Sequence, residues 1–202
     1  MTRDLDPRLV AAMRRQLSGR HAEAARVGWK YGSGEEEQIG GDHIVGHLTA
    51  ATTLADGATY HGGGAALHAD VEVAVELGGD TAAKGYSVAL EICDLTGGGS
   101  VEEIVARNDY HRAVAFGRFA PALPPGLEGA LVVNGERRAA GRAPADVAER
   151  VAAIGRVLDA VGERLEPGDR IITGLIVNTP IGSGDEVVAE LGELGRVGLR
   201  IA

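Results

Sequence analysis

Cysteine, positive charge and long apolar runs are all in short supply in this 202-residue chain. Its one cysteine, Cys93, cannot form an internal disulfide, which fits a reducing compartment. Lysine plus arginine total 20 against 29 aspartate plus glutamate, a net charge of -9. That balance argues against nucleic-acid binding, which rests on neutralising phosphates with a basic surface. An acidic protein can still hold an anionic substrate, but it needs a cation or a local basic group to do so. No stretch is long enough to span a bilayer, and the N-terminal "MTRDLDPRLVAAMRRQL" lacks an apolar signal core. The expectation is a cytoplasmic protein with no membrane partner. Internal repeats and linkers are absent too. One domain over residues 1–202 is therefore expected, with an N-terminal helix inside 1–20.

Lysine occurs only at Lys30 and Lys84. Where the basic residues are otherwise arginine, a retained lysine suits a task arginine cannot perform, such as moving a proton. Every His, Lys, Trp, Tyr and Cys lies between residues 21 and 111. Chemistry, if present, should draw mainly on that half.

Asp6-Pro7 followed by Leu9, Val10, Met13 and Leu17 predicts a capped amphipathic helix. "RVGWKYG" (26–32) reads as a strand, and the polar 34–46 segment as a loop with one helical turn. Asp56-Gly57 marks a turn, and strands are expected at 69–77, 86–95 and 112–117. Ser100 and Glu103 form a capping box opening a short helix. Asn134-Gly135 centres a hairpin over 131–138. From Pro144, the spacing Val147, Val151, Ile154, Leu158, Val161, Leu165 predicts the long helix. Strands are expected in "RIITGLIV", "DEVVAELGEL" and "GRVGLRIA". The fold class is α+β, mostly β.

Familiar motifs fail. "HGGG" (61–64) has no accompanying G-x-S-x-G elbow, and "GSGEEEQIGG" has neither a Walker lysine nor Rossmann spacing. Cys93 lies in an apolar strand, a poor setting for a thiol nucleophile. The informative stretch is "HADVEVAVEL" (68–77). Val71, Val73, Val75 and Leu77 alternate with a face carrying His68, Asp70, Glu72, Ala74 and Glu76. Alternate strand residues lie about 6.6 Å apart on one side, so Asp70 and Glu72 could share one hard cation, or simply face solvent. In "SVALEICDL", Glu91 stands among small or apolar neighbours and wants a partner. If the strands neighbour one another, Asp70, Glu72 and Glu91 make an all-oxygen cluster that favours Mg²⁺ or Mn²⁺. His68, Asp70 and Glu72 form a weaker rival, an iron-type set without a second histidine.

These stretches resemble the fumarylacetoacetate hydrolase superfamily, in its 2-keto-4-pentenoate hydratase and 4-oxalocrotonate decarboxylase branch. "VGWKYGS" is similar to G-x-K-x-G-L-T-S, and "EQIGGD" to Q-x-L-G-V-D. "ADVEVAVEL" resembles the E-x-E metal strand with Asp70 in place of the first Glu, and "ALEICD" resembles A-L-E-I-V-D. "VARNDYHRAVAFG" is similar to V-A-D-N-x-S-S-x-x-F-V-L-G, and "LEPGDRIITG" and the closing strands follow in order. The resemblance implies a β-roll-like fold with a few peripheral helices and a Mg²⁺ site (Mn²⁺ possible) made by Asp70, Glu72 and Glu91. It also implies a homo-oligomer.

By the same resemblance, Lys30 is the acid-base group, its pKa lowered by the nearby cation. Asp42 positions water or takes a proton, and Asn108 and Thr173 orient the substrate. The leading expectation is a hydratase that adds water to a 2-hydroxy-2,4-dienoate or 2-oxo acid through a metal-bound enolate. Alternatives are a C–C bond hydrolase, with the Glu35–Glu37 and His43 loop activating water, a decarboxylase, and a degenerate small-acid-binding member. The departures fall mainly in the pocket. Tyr110-His111 replace the Ser-Ser pair, Ser33-Gly34 replace Thr-Ser, and the loop after Lys30 is shorter.

Overall fold

The computed structural model describes residues 4–19, 24–34, 37–63, 66–97 and 99–202. The chain runs α1 (Pro7–Gly19), β1 (Arg26–Tyr31), β2 (Gln38–Ile39), β3 (Asp42–His43), β4 (Val45–Thr49), β5 (Thr53–Leu54) and β6 (Thr59–Tyr60). It continues through β7 (Leu67–Leu77), β8 (Ala83–Asp94), α2 (Val101–Ala106), β9 (His111–Phe116), β10 (Glu128–Val133) and β11 (Glu136–Arg142). Last come α3 (Val147–Val161), β12 (Arg170–Pro180), β13 (Glu186–Leu191) and β14 (Arg196–Ile201). The fold is mostly β with a few helices, as expected.

Local chemistry accounts for most boundaries. The Ser100–Glu103 capping box opens α2 with both reciprocal hydrogen bonds in place. Asn134 and Gly135 take positive φ of 53° and 80°, which the tight β10–β11 turn requires. α3 stops short of the predicted Leu165. Gly162 adopts a left-handed φ of 82° and caps the helix, so Leu165 reaches the core from the segment beyond it. The expected 34–46 loop instead holds the β2–β3 hairpin and the start of β4. The strand expected over 185–194 breaks at Gly192, where a 3₁₀ turn (Gly192–Leu194) follows β13.

Seven strands form one sheet in the order β4-β1-β12-β7-β8-β9-β5, and five form a second, β11-β10-β13-β14-β6. Val71, Val73 and Val75 of β7 pack with Val187, Ala189 and Leu191 of β13 in the main core between the sheets. On the opposite face of the first sheet, Leu48, Ala74, Ala89, Val114 and Ile172 form a smaller apolar cluster. Both faces of β7 are therefore covered, where alternation alone predicts a half-buried strand. β12 and β7 separate β1 from β8, which puts them about 14 Å apart in a flat sheet. Lys30 of β1 nevertheless meets Glu91 of β8 at 3.0 Å, so the sheet is curled and both side chains reach the site from its concave face.

Candidate metal centre

β7 and β8 pair antiparallel with Asp70 directly opposite Glu91. Like charges opposite one another destabilise a sheet, and here they are also removed from water. Glu91 is fully buried, Glu72 is 1% exposed and Asp70 6%. The acidic face is not a solvated one. Asp109, also fully buried, joins from the loop between α2 and β9.

Lys30 sits at the centre of this charge. Its Nζ lies 3.0 Å from Glu91 Oε1 and 3.2 Å from Asp109 Oδ2, and it donates to the Asp109 backbone carbonyl at 2.9 Å. The Asp109 carboxylate contact is an ion pair outside hydrogen-bond geometry, because neither of its oxygens has a hydrogen-bond partner. Gly46 of β4 faces Lys30 across the ladder. A Cβ there would lie 2.5 Å from Lys30 Cγ and 2.8 Å from Cδ, so only glycine leaves room for the lysine stem.

His111 Nδ1 lies 2.7 Å from the same Glu91 oxygen that meets Lys30, and its Nε2 lies 3.0 Å from Thr52 Oγ1. An ionised carboxylate only accepts, so Nδ1 carries the proton in that contact. Glu91 Oε2 is buried without any hydrogen-bond partner. Asp70 is held by Asn178 Nδ2, and Cys93 Sγ lies 3.6 Å from its Oδ2. Ligand atoms of Asp70, Glu91 and Cys93 all fall within 4.8 Å of one another. Glu72 accepts from the Gly174 amide at 2.6 Å and interacts with Glu91.

Against the upward push of burial, Lys30 and His111 hold Glu91 down at about 2. Burial and then the Glu91 charge raise Asp70 to about 7 and push Glu72 well up. Burial lowers Lys30, but Asp109 and Glu91 outweigh it and raise the ammonium well above its ordinary value. This rise is set by the protein's own carboxylates, whereas the depressed pKa expected for Lys30 is tied to a bound cation. Four buried carboxylates thus face one lysine and one histidine. Such an excess persists in a dry interior only with added protons or a cation. Asp70, Glu72 and Glu91 are hard oxygen donors, and the partnerless Glu91 Oε2 fits a divalent ion of the Mg²⁺ class.

Other expected residues are placed differently. Asp42 pairs with Ile39 in the β2–β3 hairpin; Glu37 is the acid of this loop whose charge acts on Lys30. Burial and then Asp109 raise Glu37 to about 7. Glu35 and Glu36 lie outside the described residues. Thr173 Oγ1 donates to the Val73 carbonyl at 3.0 Å. The Asn108 amide clasps the backbone of His47, accepting from its N at 2.7 Å and donating to its O at 3.0 Å. Those bonds hold neighbouring backbone in place. Neither His68, whose Nδ1 meets Asn178 Oδ1 at 2.5 Å, nor Glu72 is in the Asp70–Glu91–Cys93 group, so of the expected oxygen set Asp70 and Glu91 converge most closely and the iron-type set does not assemble.

Asp109, His111 and Cys93 were not singled out by spacing. Asp109 follows Asn108 in a run of left-handed residues, with φ of 66°, 52° and 59° at Asn108, Asp109 and Tyr110. No periodicity encodes such a turn. Surface cavities of about 420 to 650 Å³ lie elsewhere, one of about 650 Å³ bounded by Arg26, Glu76, Glu166 and Asp169. It surrounds a network in which Arg26 pairs with Glu163, Glu166 and Asp169.

No protein-family model and no curated protein matches the chain. Solved structures do. The 4-oxalocrotonate decarboxylase from Pseudomonas putida G7, complexed with magnesium and adipate, superposes with a TM-score of 0.81 at 20% identity, covering 96% of this chain and 86% of that one. The chain has the fold of the fumarylacetoacetate hydrolase superfamily. A fumarylpyruvate hydrolase from Pseudomonas aeruginosa, with Mn²⁺ and pyruvate, matches at 0.61 and 16% identity over 91% of this chain and 93% of that one. A protein described as a fumarylacetoacetate hydrolase family member, from Yersinia pestis CO92, matches at 0.58 and 20% identity over 92% and 97%. On this fumarylacetoacetate hydrolase-like fold, no helix among the described residues is long and apolar enough to cross a membrane.

Proposed function

We propose that the protein is a divalent-cation-dependent lyase acting on a short unsaturated 2-oxo acid, with hydration of a 2-hydroxy-2,4-dienoate as the first reading. The observation that carries this is the buried Lys30 ammonium among carboxylates, beside a Glu91 oxygen left without a partner. Asp70, Glu72 and Glu91 would hold Mg²⁺ or Mn²⁺. When bound there, the cation supplies a Lewis acid for negative charge developing on the 2-oxo oxygen.

The protein's own groups do the rest. Lys30 Nζ, held charged by Glu91 and Asp109, delivers a proton to the far end of the diene and is recharged by the proton that the 2-hydroxyl gives up on becoming 2-oxo; water then supplies the new hydroxyl and the remaining proton. The Asp109 carbonyl and Gly46 fix where that nitrogen sits. His111 keeps Glu91 ionised and oriented. The Asn108 clasp holds the loop that presents Asp109, and Thr173 fixes β12 against β7.

Decarboxylation is the second reading. It is favoured by the higher TM-score to the decarboxylase, 0.81 against 0.61 for the hydrolase. The test is product analysis with 2-hydroxy-2,4-dienoates and their 2-oxo-dioic counterparts in Mg²⁺. A 4-hydroxy-2-oxo acid identifies the hydratase and carbon dioxide release the decarboxylase. No turnover of either class, with Mg²⁺ bound, would leave a small-acid-binding protein.

A further inference from the structure

The proposed cation site is not made of oxygen alone. Cys93 stands two residues after Glu91 on β8, so both side chains leave the same face of the strand. Its sulfur lies 3.6 Å from Asp70 Oδ2, and the residue is 3% exposed. Ligand atoms of Cys93, Asp70 and Glu91 lie within 4.8 Å of one another, close enough to share one ion. The second, independent pointer to a ligand is the partnerless Glu91 Oε2, buried in the same cluster.

We infer that Cys93 gives this site a sulfur donor, so that it captures thiophilic divalent ions, Zn²⁺ and Cd²⁺, more tightly than an all-oxygen Mg²⁺ site would. This rests on the reading of Asp70 and Glu91 as cation ligands and adds the identity of the competing ions. Mg²⁺ is a hard ion and stays with the carboxylates, leaving the thiol to donate to Asp70. Zn²⁺ and Cd²⁺ take thiolate readily. On binding them, the thiol gives up its proton to solvent and a sulfur–metal bond forms. No electron is transferred and no other bond breaks. The same donor set then holds the ion through sulfur as well as oxygen, and a thiophilic ion displaces Mg²⁺. Cation choice is thereby built into one residue that departs from the Val of the A-L-E-I-V-D pattern.

The experiment is titration of the metal-free full chain with Cd²⁺, followed by ultraviolet absorbance and calorimetry, with Mg²⁺ as the parallel ligand. The native protein is compared with Cys93→Val, Cys93→Ser and Glu91→Gln. The expected result is a sulfur-to-cadmium charge-transfer band in the native protein only, with Cd²⁺ affinity about tenfold or more above that of the Val and Ser variants. Mg²⁺ should bind both Cys93 variants, and Glu91→Gln should weaken both ions. Cd²⁺ binding without the band, equally tight in the Cys93 variants, would overturn the sulfur donor while leaving the cation site standing. Failure of both Mg²⁺ and Cd²⁺ to bind the native protein would overturn the cation site itself. Cys93→Ser keeps a hydrogen-bond donor towards Asp70, which separates loss of the sulfur from loss of packing.

Discussion

His111 Nδ1 lies 2.7 Å from Glu91 Oε1, and Lys30 Nζ reaches that same oxygen at 3.0 Å. One carboxylate oxygen thus receives two nitrogen partners while its twin receives none. The pairing divides the work of Glu91: one oxygen is tethered to the protein and the other is left for a ligand.

Removing the imidazole tether should loosen the ligand. His111→Ala is expected to weaken Mg²⁺ by about 10–100-fold, the usual cost of losing a partner that orients a metal ligand. Calorimetric titration checks it, and unchanged affinity would mean that Lys30 alone orients Glu91.

Lys30→Met should both stop turnover and destabilise the fold. It strands Asp109 as a buried charge and leaves Glu91 with His111 alone, at about 3–5 kcal/mol, and removes a proton donor worth about 100-fold or more in rate. Adding Asp109→Asn should recover part of the stability and none of the activity. Denaturant melts of both single variants and the double variant measure that coupling; additive losses would place Asp109 outside the Lys30 charge balance.

Gly46→Ala separates position from charge. The new methyl group would meet the Lys30 stem at 2.5 Å and displace Nζ without altering any ionisable group. Turnover should fall by about 100-fold, as for other misplacements near 1 Å, with Mg²⁺ affinity changed far less. Kinetics near native would show that the lysine stem can bend away freely.

Without a cation, stability should decline as pH rises. Burial and the Glu91 charge raise Asp70 from 3.8 to about 7. Over that window the folded state holds more protons than the unfolded chain, so the stabilising proton is fully present below pH 3.8 and is lost on passing pH 7. Glu91, lowered to about 2, acts in the opposite sense only below its ordinary 4.5. Melting temperature in chelator should therefore drop from pH 5 to pH 8, and saturating Mg²⁺ should remove the drop. A flat profile in chelator would mean that Asp70 ionises without penalty.

β1 and the strands from β7 onward were legible in the sequence because alternation is local, and so was the Ser100–Glu103 cap; β2 to β6 were not, being too short or too polar to show a period. The α3 end was not, since the apolar spacing runs on to Leu165 while Gly162 turns the chain. Asp70, Glu72 and Glu91 could be picked out because two of them share a strand face and the third stands among apolar residues. That the Asp70 side of β7 is buried depends on the curl that brings Lys30 across two intervening strands, which no single strand's pattern encodes. Asp109, His111 and Cys93 are assembled by register and by the left-handed 108–110 turn. Asp42, matched by motif, lies on the small hairpin, and Glu37 supplies the charge near Lys30 instead.

The most direct test of the cation site is thermal melting of the native protein and Glu91→Ala with Mg²⁺, with oxalate, and with both. Oxalate mimics the enolate form of a 2-oxo acid, so a ternary complex should raise the melting temperature of the native protein by more than the two separate shifts combined. That synergy should vanish in Glu91→Ala. No shift with Mg²⁺ in the native protein, alone or with oxalate, would contradict the account and show that protons alone balance the buried carboxylates.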